Sequence, residues 1–256
     1  MRIAILADIH GNQIGLEAVL AELASKNVDG YWFLGDYCFG GGAPRQVLET
    51  ITALPNATFI YGNSDKILLD APYPSAEDLA TIDDSTVMEG VLQSWCDLSW
   101  TVGALAPDNW LKWLSKLPLD YKTTLPDGTS VLCVHASPND YTGRGLTPEQ
   151  RDDEVWENFG MAEEDLIIVG HRHKHQERFI NDKHIICVTS IGKNIGKNPR
   201  AGYAILESDE TGYTVTLHDV EFDTDKAIQQ LYDVHFPTPS FLEKFYRGNF
   251  VPPWER

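Results

Sequence analysis

Three times in the first 65 residues an apolar run of strand length ends on a polar side chain able to hold a cation. Arg2-Ile3-Ala4-Ile5-Leu6-Ala7 runs into Asp8-Ile9-His10, Tyr31-Trp32-Phe33-Leu34 into Gly35-Asp36, and Ala57 to Tyr61 into Gly62-Asn63-Ser64-Asp65. Leu16, Val19, Leu20 and Leu23 recur at helical spacing, so 13–26 reads as an amphipathic helix laid on a sheet. Asn12, just before it, reads as its N-cap. Pro44 opens a second helix reaching about Leu54. Strand–helix–strand order predicts parallel pairing, with the strands ending on one edge. Asp36 then emerges beside Asp8. Side chains alternate along a strand, so Asp8 and His10 share a side of the pleat. Open α/β sheets collect their ligands at this carboxyl edge, and a carboxylate with an imidazole suits a divalent metal.

From Lys66 to about Leu117 the rhythm breaks. Pro72, Pro74 and the acidic Glu77, Asp78, Asp83 and Asp84 make an irregular stretch. Val87, Val91, Leu92, Trp95 and Leu98 then predict a helix, and Trp110, Trp113 and Leu114 another. Residues 66–117 are read as an inserted helical cap, with the tryptophans as packing rather than as a base-stacking platform. A hairpin follows across Pro126-Asp127-Gly128, its second strand Ser130–Val134 ending at His135. After a helix predicted at 148–158, Leu166–Val169 ends at Gly170-His171-Arg172-His173. Strands at 176–180, 184–189, 202–207 and 213–220 are separated by turns, implying a second, largely antiparallel sheet. Two helices, 226–234 and 239–246, belong to a C-terminal tail at about 223–256.

With 256 residues, 43% of them hydrophobic, the chain has enough apolar material for one large domain, 1–256. It has no 18-residue apolar run and no basic leader ahead of an apolar core, so neither a membrane span nor a secretory signal is expected. Cys38, Cys96, Cys133 and Cys187 are widely spaced, which suits free thiols in a reducing compartment. The expected location is cytoplasmic. Twenty Lys+Arg against 38 Asp+Glu give a net charge of -18. That field repels phosphate backbones and anionic lipid, so neither nucleic acid nor membrane is an expected partner. A small phosphorylated substrate stays open if bound cations reverse the field locally.

Asp8, His10, Asp36, Asn63, His135, His171 and His173 all closely follow a hydrophobic strand. Carboxylates, an amide oxygen and imidazoles suit Mn, Fe, Zn or Ni better than Mg alone. Seven donors exceed the need of one ion and suit two with a shared carboxylate, about 3.5–4 Å apart.

Asp8-x-His10, Gly35-Asp36, Gly62-Asn63-x-Asp65, His135 and Gly170-His171-x-His173, in this order, resemble the calcineurin-like metallophosphoesterase superfamily, most of all its small bacterial and archaeal phosphodiesterase branch. The resemblance implies an α/β fold, a four-layer αββα sandwich of two mixed β-sheets flanked by helices. It implies that Asp8, His10 and His173 hold one divalent ion and Asn63, His135 and His171 a second, with Asp36 bridging. It also implies hydrolysis of a phosphodiester or nucleotide phosphoanhydride, through in-line attack by a hydroxide held between the ions. The loop after Asp36 and the two-helix tail are similar to members acting on dinucleoside polyphosphates. Asp36, Asn63 and Asp65 are the expected catalytic residues, and Arg144 and Arg172 the candidate substrate contacts.

Three departures stand out. Ser64 occupies the place where many relatives carry a histidine thought to protonate the leaving group, and Asp65, often that histidine's partner, is present without it. Arg172 replaces a small residue. Thr189-Ser190-Ile191-Gly192 replaces a usual Asn-Pro-Gly-Ser turn. A serine is a poor acid, so leaving groups needing little protonation are expected; phosphoanhydrides qualify, since a departing terminal phosphate titrates near about pH 6. His175 reads as an ordinary strand histidine. Gly40–Gly42 is no Walker loop, because no Gly-Lys-Ser/Thr follows. Two other readings are a scaffold that has lost catalysis, as the retromer subunit of this superfamily is thought to have done, and a nuclease. The complete ligand set speaks against the first, the acidic charge against the second.

Overall fold

The structure, a computed structural model, describes residues 1–71, 73–193 and 195–250. Pro72 of the irregular stretch and the last six residues of the expected tail lie outside them.

The first sheet runs β10-β9-β1-β2-β3. Its parallel half is β1 (Arg2–Leu6), β2 (Gly30–Phe33) and β3 (Ala57–Phe59), joined by helices α1 (Gln13–Leu23) and α2 (Pro44–Thr52). β9 (Ala201–Asp209) pairs antiparallel with β1 and with β10 (Gly212–Val220). The second sheet runs β4-β5-β6-β8-β7. There β5 (Ser130–Val134), β6 (Leu166–Val169) and β8 (Lys183–Cys187) are parallel. β4 (Asp120–Thr124) and β7 (Gln176–Ile180) form antiparallel edges.

Alternation along the strands produces the layers. In β1, Ile3 and Ile5 face the second sheet, with Ala7 continuing their row, and pack with Val131, Cys133, Leu166, Ile168 and Ile186. Ala4 and Leu6 face the other way, onto Leu16, Val19, Val47 and Leu48 of α1 and α2. The second sheet repeats this: Leu132, Ile167 and Val169 turn outward onto Val155 and Phe159 of α7 (Asp152–Phe159). Strands buried on both faces explain the continuous apolar runs. The result is helix, sheet, sheet, helix, as expected.

One expectation is corrected. The strands from 176 onward do not make a separate antiparallel sheet. β7 and β8 complete the second sheet, with β8 parallel to β6, while β9 and β10 extend the first beside β1. Burial supplies the reason: β9 is buried on both faces, with Ala204 and Leu206 between the sheets and Tyr203 and Ile205 toward the helices. It therefore needs a central place.

Residues 63–114 carry helices α3 (Asn63–Asp70), α4 (Ala76–Ala80), α5 (Ser85–Leu105) and α6 (Trp110–Leu114). Leu68, Leu98, Leu105 and Leu114 join the same core as α1 and α2, with Trp95, Trp110 and Trp113 packed against it. α8 (Thr224–Asp233) and α9 (Pro239–Tyr246) share an apolar cluster with Ile14 of α1 and Trp100 of α5. The helix expected at 148–158 starts only at Asp152. Thr147 to Gln150 is a turn, with the Thr147 amide donating to Gln150 Oε1.

Candidate metal centre

All seven expected ligands lie beyond the carboxyl ends of five parallel strands. Asp8 and His10 follow β1, Asp36 follows β2, Asn63 follows β3 as the first residue of α3, His135 follows β5, and His171 and His173 follow β6. Backbone bonds hold these loops in register beyond the strands. The Asp8 amide donates to Gly35 O at 3.1 Å and the His10 amide to Asp36 O at 2.9 Å. The His171 amide donates to Asp8 Oδ2 at 2.9 Å and so joins the two sheets at the site. A Cβ on Gly62 would lie 2.2 Å from Asp36 Oδ1 and 2.8 Å from the His135 ring, so only glycine fits there. Asp8, His10, Asp36, His171 and His173 all have φ between 48° and 71°, a left-handed backbone that the surrounding structure must hold in place. Asn12 is the N-cap of α1, accepting from the Gly15 amide, and not a ligand.

The side chains form two adjoining groups. In the first, His173 Nε2 lies 3.2 Å from both Asp8 Oδ1 and His10 Nε2. In the second, Asn63 Oδ1 lies 2.9 Å from both His135 Nε2 and His171 Nδ1. Asp36 spans them, with Oδ2 3.7 Å from His10 Nε2 and Oδ1 3.5 Å from His135 Nε2. Asp8, His10 and His173, and Asp8, Asp36 and His135, each bring ligand atoms within 4.8 Å of one another.

The protons on the far sides of the rings show what this pocket suits. His10 Nδ1–H donates to Phe39 O at 2.7 Å, His135 Nδ1–H to Leu34 O at 2.7 Å and His173 Nδ1–H to Lys193 O at 3.0 Å. In the neutral rings these bonds fix the tautomers and leave each Nε2 as a lone pair aimed inward. Two imidazole lone pairs 3.2 Å apart, or one against an amide oxygen at 2.9 Å, repel unless a cation lies among them. The donor set therefore fits divalent metal.

Protonation agrees for most members. Burial lowers His10 far below its ordinary value and brings His171 to about 4, keeping both neutral. Burial alone would raise Asp8 and Asp36. The neighbouring His173 outweighs it at Asp8, and His135 with two Ser64 bonds at Asp36, so both stay ionised. His135 runs the other way: burial pulls it down, but the Asp36 and Asp8 carboxylates raise it.

Asp65, an expected catalytic residue, turns its carboxylate onto the backbone. Both its oxygens are taken by backbone amides, Oδ2 by Asp36 and Gly62 at 2.7 and 2.9 Å and Oδ1 by Tyr37 at 3.0 Å. Fully buried and beside Asp36, it is pushed up to about 7. It holds the backbone from which Asp36 and Asn63 project. Ser64 also acts through Asp36: its hydroxyl donates to Oδ2 at 2.7 Å and its amide to Oδ1 at 2.8 Å. Arg144 is exposed and paired with Glu154 at 3.1 Å. Half-buried Arg172 packs its Cγ and Cδ near Gly145. His175 sits between Asp219 and the Thr189 amide and is in neither ligand group.

Two nearby residues support the ligands, Ser190 from the variant turn noted in the sequence and Lys193, which the sequence reading missed. Ser190 Oγ–H donates to Asp8 O at 2.7 Å and accepts from the Gly192 and Lys193 amides, so the variant turn still braces the site. The Lys193 ammonium, lowered to about 8 by burial, donates to the same Phe39 carbonyl that holds His10. Nothing in the local pattern around Lys193 marks it.

The chain is similar along nearly its whole length to known proteins. An uncharacterized protein of Methanocaldococcus jannaschii is 29% identical over 245 residues, covering 90% of this chain and 91% of that one. The crystal structure of a hypothetical protein from Pyrococcus horikoshii OT3 superposes with a TM-score of 0.79 at 20% identity, covering 98% of this chain and 99% of that one. A metallophosphoesterase from Sphaerobacter thermophilus superposes at 0.73 with 26% identity, over 98% and 100% of the two chains. Since the calcineurin-like phosphoesterase superfamily domain matches residues 1–211, the chain belongs to that superfamily.

Proposed function

We propose that the protein is a dinuclear metal-dependent phosphodiesterase whose preferred bond is a nucleotide phosphoanhydride, such as that of a dinucleoside polyphosphate. The carrying observation is the inward convergence of imidazole, amide and carboxylate lone pairs around Asp36. Asp8, His10 and His173 would hold one ion, and Asn63, His135 and His171 the other, with Asp36 shared. When bound, such ions lower the pKa of water and neutralise charge on phosphoryl oxygens. The chain's own part is to keep His10 and His171 neutral and Asp8 and Asp36 ionised, and to clamp Asp36 through Ser64 and the Asp65-bound backbone. Arg172, beside two ligands in sequence, is the side chain we assign to substrate phosphate.

The Ser64 proton supports the bond preference. It is committed to Asp36 Oδ2 on a buried side chain, so it is not available to an alkoxide. The test compares kcat/KM on a dinucleoside polyphosphate and on an alkyl phosphodiester with added Mn. A clear preference for the anhydride is expected, and equal values would refute that preference. No Mn-dependent hydrolysis of any phosphoester would refute the enzyme.

A further inference from the structure

A cavity of about 290 Å³ adjoins the metal centre without belonging to it. It lies between the turn at Phe39 and Gly40, helix α5 and helix α9, and its lining includes Gly90, Asp97, Lys193 and Phe241. Two lining residues also hold metal-site imidazoles: the Phe39 carbonyl accepts from His10 and the Lys193 carbonyl from His173. One end of the cavity is therefore built on the outer bonds of the centre.

Asp97 lines the same space and is 7% exposed. Its Oδ2 accepts the Thr238 hydroxyl at 2.6 Å, while Oδ1, among the described residues, has no hydrogen-bond partner. A buried carboxylate oxygen without a donor is costly, so this position is complete only when an N–H or O–H is brought to it. Lys193 in the same cavity disfavours a cationic occupant. Phe39 and Phe241 offer aromatic walls, and Gly90 a bare stretch of helix. The volume is at the small end of ligand cavities, about 300–1,000 Å³, which suits one ring system rather than a macromolecule.

We propose that this cavity binds the nucleobase of the substrate, with Asp97 accepting from an amino or ring N–H and Lys193 facing the phosphate side. This deepens the phosphoesterase reading and rests on it for the substrate's phosphate. A base satisfies each feature at once: flat apolar faces for the phenylalanines, N–H groups on its edge for Asp97, and a phosphate attached through its sugar.

The test is calorimetric titration of the full chain with adenosine, guanosine and cytidine. At least one should bind. Its affinity should fall about 10- to 100-fold in Asp97→Asn, as expected for a lost hydrogen bond to a charged group. A Cβ on Gly90 would meet no protein atom within 4 Å, so Gly90→Leu should fold and block the space, abolishing binding. Cys96→Ser, exposed on the same helix, should bind like the parent. No binding of any of the three at millimolar concentration, or undiminished binding in Asp97→Asn, overturns the proposal. If Asp97→Asn fails to fold, retained binding in Gly90→Leu overturns it alone. Mn-dependent hydrolysis of bis(p-nitrophenyl) phosphate by the parent reads the metal centre separately. Hydrolysis without nucleoside binding removes the base site only, whereas binding without hydrolysis removes the enzyme reading only.

Discussion

Replacing Asp97 with asparagine should stabilise the protein at neutral pH and leave it unchanged in acid. Asp97 is buried with Oδ1 unpartnered, and burial pushes its pKa up from 3.8 to about 6, against the pull of Thr238 and Lys193. A carboxyl whose folded value exceeds its unfolded value binds more protons when folded. Stability from this group is therefore full below about pH 4 and is lost as pH rises through about 6. At about 1.4 kcal/mol per pH unit, the interval is worth up to about 3 kcal/mol, or about 2 kcal/mol after discounting for solvent. Asparagine keeps an acceptor for Thr238 and carries no charge. For a chain of this size about 2 kcal/mol shifts Tm by about 4–8 °C. The assay is thermal unfolding of both proteins from pH 3.5 to 8. The variant's advantage should open between about pH 4 and 6 and stay constant above about 7. An advantage independent of pH, or a less stable variant at pH 7.5, would refute the reasoning.

Two glycines should respond in opposite ways. A Cβ on Gly41 would lie 1.9 Å from the His10 carbonyl, so Gly41→Ala should cost at least about 1–3 kcal/mol in unfolding experiments and weaken Mn binding. Gly90→Ala meets nothing and should gain about 0.5–1 kcal/mol in the same experiments from better helix propensity. Ser64→Ala removes one of two Ser64 bonds to Asp36 and should weaken Mn binding about 10- to 100-fold in a metal titration, with little change in Tm.

Much of the site was legible because each ligand directly follows its strand. An apolar run ending at Asp8, Asp36 or His171 states both the strand and its exit, and parallel pairing brings the exits together. What Asp65 faces was not legible, since a carboxylate six residues beyond the end of β3 looks the same whether it meets metal or backbone amides. Sheet membership of β7 to β10 was hidden because alternating strands and turns do not say which older strand each hairpin joins. β9 reaches β1 across nearly 200 residues. The Asp97–Lys193 cavity was hidden for the same reason: its walls come from the Phe39 turn, α5, the turn after β8 and α9. Only packing joins them.

The central claim is that these loops hold two cations through a shared Asp36. Metal analysis of the purified chain after Mn or Zn loading and desalting tests it most directly, beside Asp36→Ala. The account predicts about two ions per parent chain, and in Asp36→Ala fewer than two with loss of phosphodiester hydrolysis. A parent chain that retains no metal, or an Asp36→Ala chain that keeps both ions and a near-normal rate, would contradict it.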